Sequence, residues 1–465
     1  MSLTGTSASS RLGDIAGNAN VVSDPTELSA YAIDGKTPGV AVRPGTAAEV
    51  AEIVKFAVAE KLALVASGAR TKLGIGFAPR RYDLALDMTR LDRVIAYDPG
   101  DLTLSVEAGV PLHSLGQTLA EHKQLLPLAV PFLAQTTIGG LIASGVDSPL
   151  RQFYGTARDF LLGMEFVTGD GVAAKSGGRV VKNVTGYDIH KLMIGSLGTL
   201  GVMTRVNFKT FPMPMRAHGF VARFVRAEQA FDMRNRIARS ALTPLTMEIL
   251  SPRVAELFHS EAALRYEPAA MPAGVISRTE WALTAGYAGN EDVLKRCGAD
   301  LQRMAEEAGA AEIAVLADEN LRPAFNRKRE FIPIALAASP AATIVKMSVL
   351  PMRMAEALAA AERAAESNAL PWAAMARGLG VIYFALLPAA RSEDARAHTA
   401  AATEAIHAAC AELGGHSTIP WCLAEWKTAL KIWGLPRADF PQMQKLKRVF
   451  DPQGVLSPGR FVGGI

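Results

Sequence analysis

The feature that most constrains the fold is the order of elements around one glycine-rich loop. Residues 46–61 predict an amphipathic helix, because Thr46 and Glu49 form a capping box and apolar residues recur at helical spacing. The apolar run at 62–66 predicts a buried strand, which leads into the loop 67–76. A second strand, not a helix, is predicted after the loop. In a Rossmann-type dinucleotide site the loop opens a helix, so this order excludes that site.

The composition of the loop is typical of an anion-binding nest. Its small residues let successive backbone N–H groups face one anion, as in pyrophosphate binding. A P-loop is excluded, because the string G-x-x-x-x-G-K-[ST] does not occur in the sequence. A tight surface turn has the same composition, so the loop alone leaves both interpretations open.

Two further glycine-rich stretches follow in the N-terminal half. Residues 136–145 supply hydroxyl groups and bare backbone, which can line a flat ring and a ribityl chain. A glycine-mediated helix contact is the alternative interpretation. Residues 195–201 let the backbone approach a ligand closely, and Thr199 offers a hydroxyl, although a plain turn between helix and strand has the same pattern.

Length, charge and cysteine content exclude several classes of protein. A chain of 465 residues exceeds what one hydrophobic core supports, so two folding units are expected. The net charge of +4 is small and the basic residues are scattered, which disfavours a nucleic-acid partner. The three cysteines, Cys297, Cys410 and Cys422, are too widely spaced to form a C-x-x-C pair. This spacing argues against a disulfide framework, a zinc site or a bound iron–sulfur cluster. We therefore expect a cytoplasmic protein.

Two segments of the sequence were compared with a secretory signal and with a membrane-spanning helix. Residues 1–11 contain no apolar core, so no secretory signal is expected, and the residues before Val21 are expected to be loose. The stretch 332–351 is broken by two prolines and a lysine, so we interpret it as buried core rather than a membrane span. Any contact with the inner face of the plasma membrane is expected to be peripheral and through a partner.

Prolines and composition divide the chain into three parts. Pro212 and Pro214 follow the last predicted strand of the N-terminal part, so we place a domain boundary there. In the part 215–434, long Ala-rich helices alternate with short apolar strands, which predicts an α+β cap over a mostly antiparallel sheet. The tail 435–465 is expected to dock back on the first domain, 21–214. The predicted fold class is α+β.

Five motifs occur in a fixed order along the chain. They are SGARTKL at 67–73, TTIGG at 136–140, KNVTGYD at 182–188, GSLGTLG at 195–201, and FDP to PGRF at 450–461. Together they resemble the FAD-binding oxidoreductases of the vanillyl-alcohol-oxidase and p-cresol-methylhydroxylase superfamily. Within it the chain is most similar to the FAD-binding E subunits of bacterial glycolate oxidases, and Leu197 supports this branch because relatives more often have Glu there. The resemblance is faint across the cap.

The resemblance implies a two-lobed α/β FAD-binding domain that clasps an extended FAD. The first loop would cradle the pyrophosphate, the second stretch would lie along the ribityl chain and isoalloxazine, and the third would close over the cofactor. Neither His nor Cys occurs in the loop 67–76, so non-covalent FAD is predicted. The implied cofactor-binding residues are Ser67, Gly68, Ala69, Arg70, Thr71, Lys72, Leu73, Pro131, Thr136, Thr137, Ile138, Gly139, Gly140, Ser144, Gly145, Thr199, Leu200, Gly201 and Val202.

The activity implied by the resemblance is oxidation of a small 2-hydroxy acid, glycolate or D-lactate, with electrons passing to partner subunits rather than to NAD. The expected partners are a second flavoprotein and an iron–sulfur subunit. The paired-His metal motif of related dehydrogenases is missing here, and no metal is predicted. This suggests that the sister flavoprotein oxidises the substrate. A self-sufficient FAD oxidase or dehydrogenase of another hydroxy acid or alcohol is the alternative function, and a scaffold without catalysis is the third.

The candidate for the substrate carboxylate is Lys346, which lies mid-strand among apolar neighbours. The basic run at 327–329 is the other candidate, although such runs usually form a solvated face. The three cap histidines, His398, His407 and His416, are interpreted as exposed helix and turn positions rather than as metal ligands. No catalytic base is identified in the sequence.

Overall fold

The first lobe of the N-terminal part contains a small sheet with parallel strands. A computed structural model describes residues 5–180, 186–272 and 275–465 of the chain. The elements of this lobe are α1 (Gly5–Ala16), β1 (Val21–Val22), α2 (Pro25–Leu28), β2 (Val40–Val42), α3 (Ala47–Ala59), β3 (Leu64–Ser67) and β4 (Leu84–Asp87). The strand order is β1-β2-β4-β3, and β4 pairs in parallel with both β2 and β3. β3 is therefore an edge strand, and the first glycine-rich loop leaves from its end.

Local sequence accounts for the start of α3. The hydroxyl of Thr46 accepts a hydrogen bond from the Glu49 amide at 3.1 Å, and the Glu49 carboxylate accepts one from the Gly45 amide at 2.8 Å. This reciprocal cap satisfies N–H groups that a helix start leaves free. The predicted helix and its Thr46 cap are confirmed, but the Glu49 carboxylate accepts from the Gly45 amide and not from the Thr46 amide, as a capping box requires. The buried face of α3 packs on the sheet of this lobe.

The expectation of a loose segment before Val21 is wrong for α1. Ala8, Leu12 and Ala16 lie on one face of this helix and are buried in the core of the first lobe, with Leu12 fully buried. The spacing of four residues places them on one stripe of a helix. This stripe consists of one leucine between two alanines, which is a weak apolar signal in a Ser- and Gly-rich segment.

The second lobe contains a five-stranded antiparallel sheet. Its elements are β5 (Val94–Asp98), β6 (Thr103–Glu107), α4 (Leu112–Glu121), β7 (Gln124–Leu125), α5 (Ile138–Ser144), α6 (Arg151–Tyr154), α7 (Ala157–Phe160), β8 (Leu161–Val167), β9 (Ala173–Gly177), β10 (Val202–Lys209) and β11 (Phe211–Pro212). The strand order is β5-β6-β10-β8-β9, and β7 pairs separately with β11. All pairs in this sheet are antiparallel, so the α/β alternation expected for both lobes holds only in the first.

The cap contains an eight-stranded antiparallel sheet with helices on both faces. Its strands are β12 (Ala217–Phe224), β13 (Thr246–Leu250), β14 (Trp281–Ala288), β15 (Glu312–Leu316), β16 (Thr343–Ser348), β17 (Trp372–Arg377), β18 (Val381–Leu386) and β19 (His416–Trp421), in the order β15-β12-β14-β13-β17-β18-β16-β19. Its helices are α8 (Ala227–Arg239), α9 (Arg253–Phe258), α10 (Glu261–Tyr266), α11 (Glu291–Glu307), α12 (Leu321–Arg329), α13 (Phe331–Ala338), α14 (Met354–Ser367) and α15 (Glu393–Glu412).

The two faces of the cap sheet have different neighbours. One face packs under the long helices α8, α11, α14 and α15. The other, which we call the inner face, bears Met375 and Tyr383 and packs against α9, α12 and α13. Phe132, Val146 and Leu197 of the N-terminal part also pack on it. The inner face therefore meets the glycine-rich loops.

The tail contains α16 (Phe440–Phe450) and then returns to the first lobe. Leu456 forms a parallel bridge with Leu64 of β3, and the Phe77 amide donates a hydrogen bond to the carbonyl of Arg460 at 3.0 Å. Residues 182–185 of the KNVTGYD string lie outside the described residues. Within the described ranges, no helix combines the length and apolarity needed to cross a membrane.

Candidate cofactor and active site

The first glycine-rich loop presents a row of free backbone donors. The amide groups of residues 68–72 donate no hydrogen bond to any described residue, and the buried hydroxyl of Ser67 has no partner among them either. The Arg70 side chain points away, with its guanidinium 3.0 Å from the Asp87 carboxylate, so this residue offers its backbone to the loop. Consecutive free N–H groups form a concavity suited to an anion.

Lys72 joins the first loop to the second stretch. Its ammonium donates to the hydroxyls of Thr136 at 2.6 Å and Thr71 at 3.1 Å, and it lies over the ring of Phe132. Burial lowers the pKa of Lys72 to about 8, and the carboxylate of Glu330 opposes that shift. A buried cation without an ion pair, next to free N–H donors, is suited to a negatively charged ligand.

The second stretch forms the start and end of α5. Thr137 caps the helix and accepts from the Gly140 amide at 3.3 Å. A Cβ at Gly68 would lie 2.0 Å from the Thr137 hydroxyl oxygen, so the first and second stretches are in contact and require glycine there. Gly145 ends α5 in the left-handed region at φ 60°, and a Cβ there would lie 3.0 Å from the Cα of Gly195.

The third stretch is fixed against the end of α5. The amides of Gly195 and Leu197 donate to the carbonyls of Ile142 at 2.8 Å and Ala143 at 2.9 Å. Leu197 has φ 52°, a conformation that non-glycine residues rarely adopt, and its side chain faces the cap. The three stretches thus converge on one place.

A continuous cleft runs along the three stretches. It consists of adjoining cavities of about 380, 510 and 550 Å³ of empty space. The first lies against residues 198–203 and the second against the first loop; they share Gly68, Thr137 and Gly140. The third reaches the cap and shares Ser144 and Leu197 with the second. The cleft is therefore long and narrow, suited to an extended ligand.

The cap end of the cleft carries two ionisable side chains, Lys346 and Tyr383. Lys346 on β16 lies between Tyr383 of β18 and Thr418 of β19 in the strand register. Its ammonium makes no hydrogen bond or ion pair with any residue that the structure describes. Trp421 and Trp433 complete this end of the cleft. An unpaired cation beside aromatic rings can bind a carboxylate that the cleft admits.

A buried carboxylate stands next to this end of the cleft. Asp147 forms ion pairs with Arg151 at 2.8 Å and Arg377 at 3.4 Å, and the Arg377 guanidinium lies 4.9 Å from the ring centre of Tyr383. Burial, the largest influence, would raise the pKa of Asp147, but the charges of Arg377, Lys346 and Arg151 outweigh it and keep that pKa below its usual value. Asp147 is therefore an ionised carboxylate that neutralises part of the positive charge of Arg151, Arg377 and Lys346.

Arg460 is a site residue that the sequence analysis missed. Its guanidinium is 2% exposed, lines the cleft beside the first loop, and donates to the carbonyls of Leu73 at 2.6 Å and Ile75 at 2.7 Å. Nε and Nη1 are buried without a partner among the described residues. Burial lowers the pKa of Arg460 to about 10. The signal is the PGRF string, which the sequence analysis uses as a family motif and as part of the docking tail without naming a site residue in it.

Three charged residues of the cap and tail bond to the backbone of the first and third stretches and of the segment just before the second, and no local pattern in the sequence indicates them. Lys427 donates to the carbonyls of Gly74 at 2.6 Å and Gly76 at 2.8 Å. Glu330 accepts from the Phe132 amide at 2.7 Å. Lys447 donates to the Thr199 carbonyl at 2.9 Å. Because each partner is a backbone atom, the contact does not depend on the side chain of the loop residue.

Most of the predicted cofactor-binding residues line the cleft. Pro131, Ile138, Thr199 and Leu200 do not. Ile138 is fully buried in the core of the second lobe, because its side chain lies on the inner side of α5. The Thr199 hydroxyl is buried and bonds to the Ser196 carbonyl at 2.7 Å. The remaining predicted residues line at least one cavity: Ser67, Gly68, Ala69, Arg70, Thr71, Lys72, Leu73, Thr136, Thr137, Gly139, Gly140, Ser144, Gly145, Gly201 and Val202.

The side chains of the basic run at 327–329 make hydrogen bonds and ion pairs with other residues of the cap. Arg327 is 1% exposed and donates to backbone carbonyls of neighbouring cap segments, and Lys328 forms a buried ion pair with Glu248 at 2.8 Å. This run is not a solvated face. His407 is buried on α15 with Nδ1 2.7 Å from the Ser417 hydroxyl. No group of three metal-ligating side chains occurs in the described part of the chain.

Two family models match the chain. One, described as an FAD binding domain, matches residues 38–177, and the other, described as the C-terminal domain of FAD linked oxidases, matches 214–420 and 431–461, just over half of the chain. The chain is 35% identical over 195 residues to glycolate oxidase subunit GlcE of Escherichia coli (strain K12), which covers 42% of this chain and 54% of that protein. The match thus spans about half the length of that relative.

Other relatives match over different lengths. Glycolate oxidase subunit GlcD of Bacillus subtilis (strain 168) is 23% identical over 426 residues, which covers 91% of this chain and 89% of that protein. D-2-hydroxyglutarate dehydrogenase of Xanthomonas citri pv. viticola is 33% identical over 197 residues, 41% of this chain and 42% of that protein. Sequence identity is thus higher in the two matches that cover about 40% of the chain than in the match that covers 91% of it.

Solved structures share the fold. A p-cresol methylhydroxylase with bound substrate superposes with a TM-score of 0.77 at 18% identity, covering 98% of this chain and 96% of that chain. An alkyldihydroxyacetonephosphate synthase gives a TM-score of 0.71 at 15% identity, covering 97% and 84%. The predicted α+β fold of the p-cresol-methylhydroxylase type, the FAD cofactor and the class of FAD-dependent oxidoreductase are confirmed. The chain belongs to the family of FAD-linked oxidases.

Proposed function

We propose that the chain binds FAD non-covalently along the cleft and oxidises a small 2-hydroxy acid, glycolate or D-lactate, at its cap end. The observation that carries this proposal is the unpaired Lys346 at one end of the cleft. The other part of the cleft offers free hydrogen-bond donors to an anion. The electrons then leave to partner subunits rather than to NAD. GlcE and GlcD, two of the relatives, are subunits of glycolate oxidase by name, which supports a subunit role.

The donors beside the first loop fit the diphosphate of FAD. The free amides of residues 68–72, the Ser67 hydroxyl and the two unpartnered nitrogens of Arg460 all belong to one cavity. Lys72 adds a cation that lacks an ion pair. Leaving so many buried donors without an acceptor is costly, so an anionic ligand accounts for the arrangement. No His or Cys lines the cleft among the described residues, which supports a non-covalent flavin.

The residues at the cap end fit a 2-hydroxy acid. When bound, the flavin supplies acceptance of the hydride from the α-carbon. Lys346 binds the substrate carboxylate and so holds the α-carbon in one orientation. Tyr383 lies opposite Lys346 on the neighbouring strand. Its phenol offers a hydrogen bond to the substrate hydroxyl. Trp421 and Trp433 exclude water from this end.

A self-sufficient FAD oxidase or dehydrogenase of another hydroxy acid or alcohol is the second candidate. One observation favours it: the family model of the C-terminal domain matches the cap except for residues 421–430. A complete cap over the cleft can in principle close a substrate site without a sister flavoprotein. Both candidates predict that substrate reduces the isolated chain; they differ in the substrate and in whether partner subunits are needed to reoxidise the flavin.

The test is anaerobic stopped-flow reduction of the purified chain by glycolate, D-lactate and L-lactate, with Lys346→Met beside the natural chain. We expect the natural chain to be reduced by at least one acid, and Lys346→Met to keep its FAD but to be reduced at least tenfold more slowly at subsaturating substrate. Arg239→Ala, an exposed cation on α8, is the matched control. Equal rates for Lys346→Met and the natural chain would overturn the assigned role of Lys346.

A further inference from the structure

A polar side cavity adjoins the cap end of the cleft. It has about 810 Å³ of empty space and lies between the end of α5, the helices α6 and α7, and the cap strand β16. Gly145, Val146 and Lys346 line both this cavity and the cleft. The inner end of the side cavity is therefore at Lys346, the residue to which we assign the substrate carboxylate.

The outer end of the side cavity is at the protein surface. Arg158 on α7 lines the cavity and is exposed, whereas Arg151, Lys191 and Lys346 line it and are half-buried. A side chain that water surrounds does not hold a small ligand tightly, because its charge is screened. It does attract anions that arrive from solvent. The side cavity thus joins the surface at Arg158 to the cleft at Lys346.

Three cations around the side cavity have carboxylate partners. Arg151 and Arg377 share the Asp147 carboxylate, at 2.8 and 3.4 Å. Lys191 pairs with Asp188 at 2.7 Å. These three cations have two carboxylates between them, so one positive charge remains in excess.

The cations at the two ends of the side cavity add to this excess. Arg158 and Lys346 make no hydrogen bond or ion pair with any residue in the described ranges. Asp159, the carboxylate that follows Arg158, caps α7 and accepts from the Thr156 amide at 2.7 Å. Among the described residues named around the cavity, five cations thus stand against three carboxylates. The cavity is therefore positively charged from its mouth to its inner end.

The cleft is not a free path to Lys346 once the cofactor is bound. The FAD of the proposed function would occupy the cleft along the three glycine-rich stretches, so a substrate needs another way to the cap end. We infer that 2-hydroxy acids enter and leave through the side cavity, and that its positive charge steers their carboxylates from Arg158 to Lys346. This inference rests on the proposed function and adds a route to the same site.

An entrance sets the rates of binding and not the affinity, because a barrier on the path slows entry and exit equally. The probe is oxalate, which has no hydrogen on carbon to transfer. Stopped-flow absorbance of the flavin in the FAD-loaded chain gives its association and dissociation rate constants. Ala157 on α7 lines the side cavity and not the cleft. Ala157→Trp should lower both rate constants about tenfold with Kd within about twofold, and Ala157→Ser should change neither.

The charge at the mouth gives a second readout. Arg158→Glu should lower the association rate constant about threefold or more at low ionic strength, near the low end of electrostatic steering. The difference should vanish at about 1 M salt, where the Debye length is about 3 Å. The dissociation rate constant should change less, since Arg158 does not hold the bound ligand. Arg239→Glu, the same change of charge at an exposed residue of α8, is the control.

Unchanged rate constants in Ala157→Trp would overturn the inference, because the route would then lie elsewhere, for example past Thr418 at the cap end. A higher Kd with an unchanged association rate constant would also overturn it, since the side cavity would then be part of the binding site. The FAD content and Tm of each variant report on the fold. If the tryptophan disturbs the fold, the surface variant Arg158→Glu decides, and a salt dependence equal to that of the natural chain contradicts steering.

Failure of the proposed function gives a different result. Oxalate would then bind with the rate constants expected for the variants, but no 2-hydroxy acid would reduce the flavin. Oxalate that leaves the flavin spectrum unchanged contradicts the inference, whereas reduction of the flavin by a 2-hydroxy acid in the same preparation would still support the proposed function.

Discussion

Replacement of Arg460 by methionine tests whether the tail completes the cofactor site. Burial lowers the pKa of this guanidinium to about 10, so holding its charge in the folded chain costs roughly 3 kcal/mol near neutral pH. Its two hydrogen bonds to the carbonyls of Leu73 and Ile75 contribute about 3 kcal/mol in return. These opposing effects nearly cancel, so Arg460→Met should change the stability of the FAD-free chain little.

The effect on FAD binding should be large. Nε and Nη1 of Arg460 have no partner among the residues that the structure describes, and a diphosphate would supply acceptors for both. Two charge-assisted hydrogen bonds are worth about 3 kcal/mol at the low end, which corresponds to about a hundredfold in Kd. The measurement is quenching of FAD fluorescence on titration with the flavin-free chain, together with its Tm by circular dichroism.

Arg460→Lys should recover part of the affinity, since an ammonium retains the charge but lacks the fork of donors. Binding of FAD by Arg460→Met within threefold of the natural chain would refute the reasoning. So would a large loss of Tm in the absence of FAD, because it would show that the guanidinium serves the fold rather than the cofactor.

Three other perturbations give separate expectations. The Lys72 ammonium has a pKa near 8 in the flavin-free chain, so FAD affinity should fall as pH rises from 8 to 10, and Lys72→Met should lose this dependence in equilibrium titrations. Gly68→Ala should purify with little FAD, because its methyl group would lie 2.0 Å from the nearest hydroxyl oxygen, whereas Gly74→Ala, with nothing within 4 Å, should keep its FAD content. Glu248→Gln should lower the free energy of unfolding by about 3 kcal/mol in urea titrations, because it leaves the buried Lys328 without its carboxylate, and a loss below 1 kcal/mol would contradict this.

Regular local patterns made much of the fold predictable. The N-cap at Thr46 and the apolar stripe of α3 are signals within a few residues, and the structure reproduces them. The cap strand β17, in contrast, is rich in alanine, which favours helices, and was not predicted. It forms because it lies between β13 and β18 and is buried on both faces, a cause that exists only in the assembled sheet.

The candidate site shows the same contrast between local sequence signals and long-range contacts. Glycine and hydroxyl residues in the three stretches carry a local signal, so the lining along the first loop and α5 could be named from sequence, whereas the cap end, apart from Lys346, could not. Arg460 lies 387 residues from Leu73 along the chain, and Glu330 lies 198 from Phe132. Such contacts arise from the docking of the cap and tail on the loops, which no local pattern encodes. Ile138 shows the converse, since it sits within a site motif but faces the core.

The most direct test of the account is the flavin content and anaerobic visible spectrum of the purified chain. The account predicts one FAD per chain, released into solution on denaturation, with an absorbance that a 2-hydroxy acid bleaches in the absence of oxygen. A well-folded chain that contains no flavin, and binds none when FAD is added, would contradict the central claim that the three glycine-rich stretches and Arg460 form an FAD site.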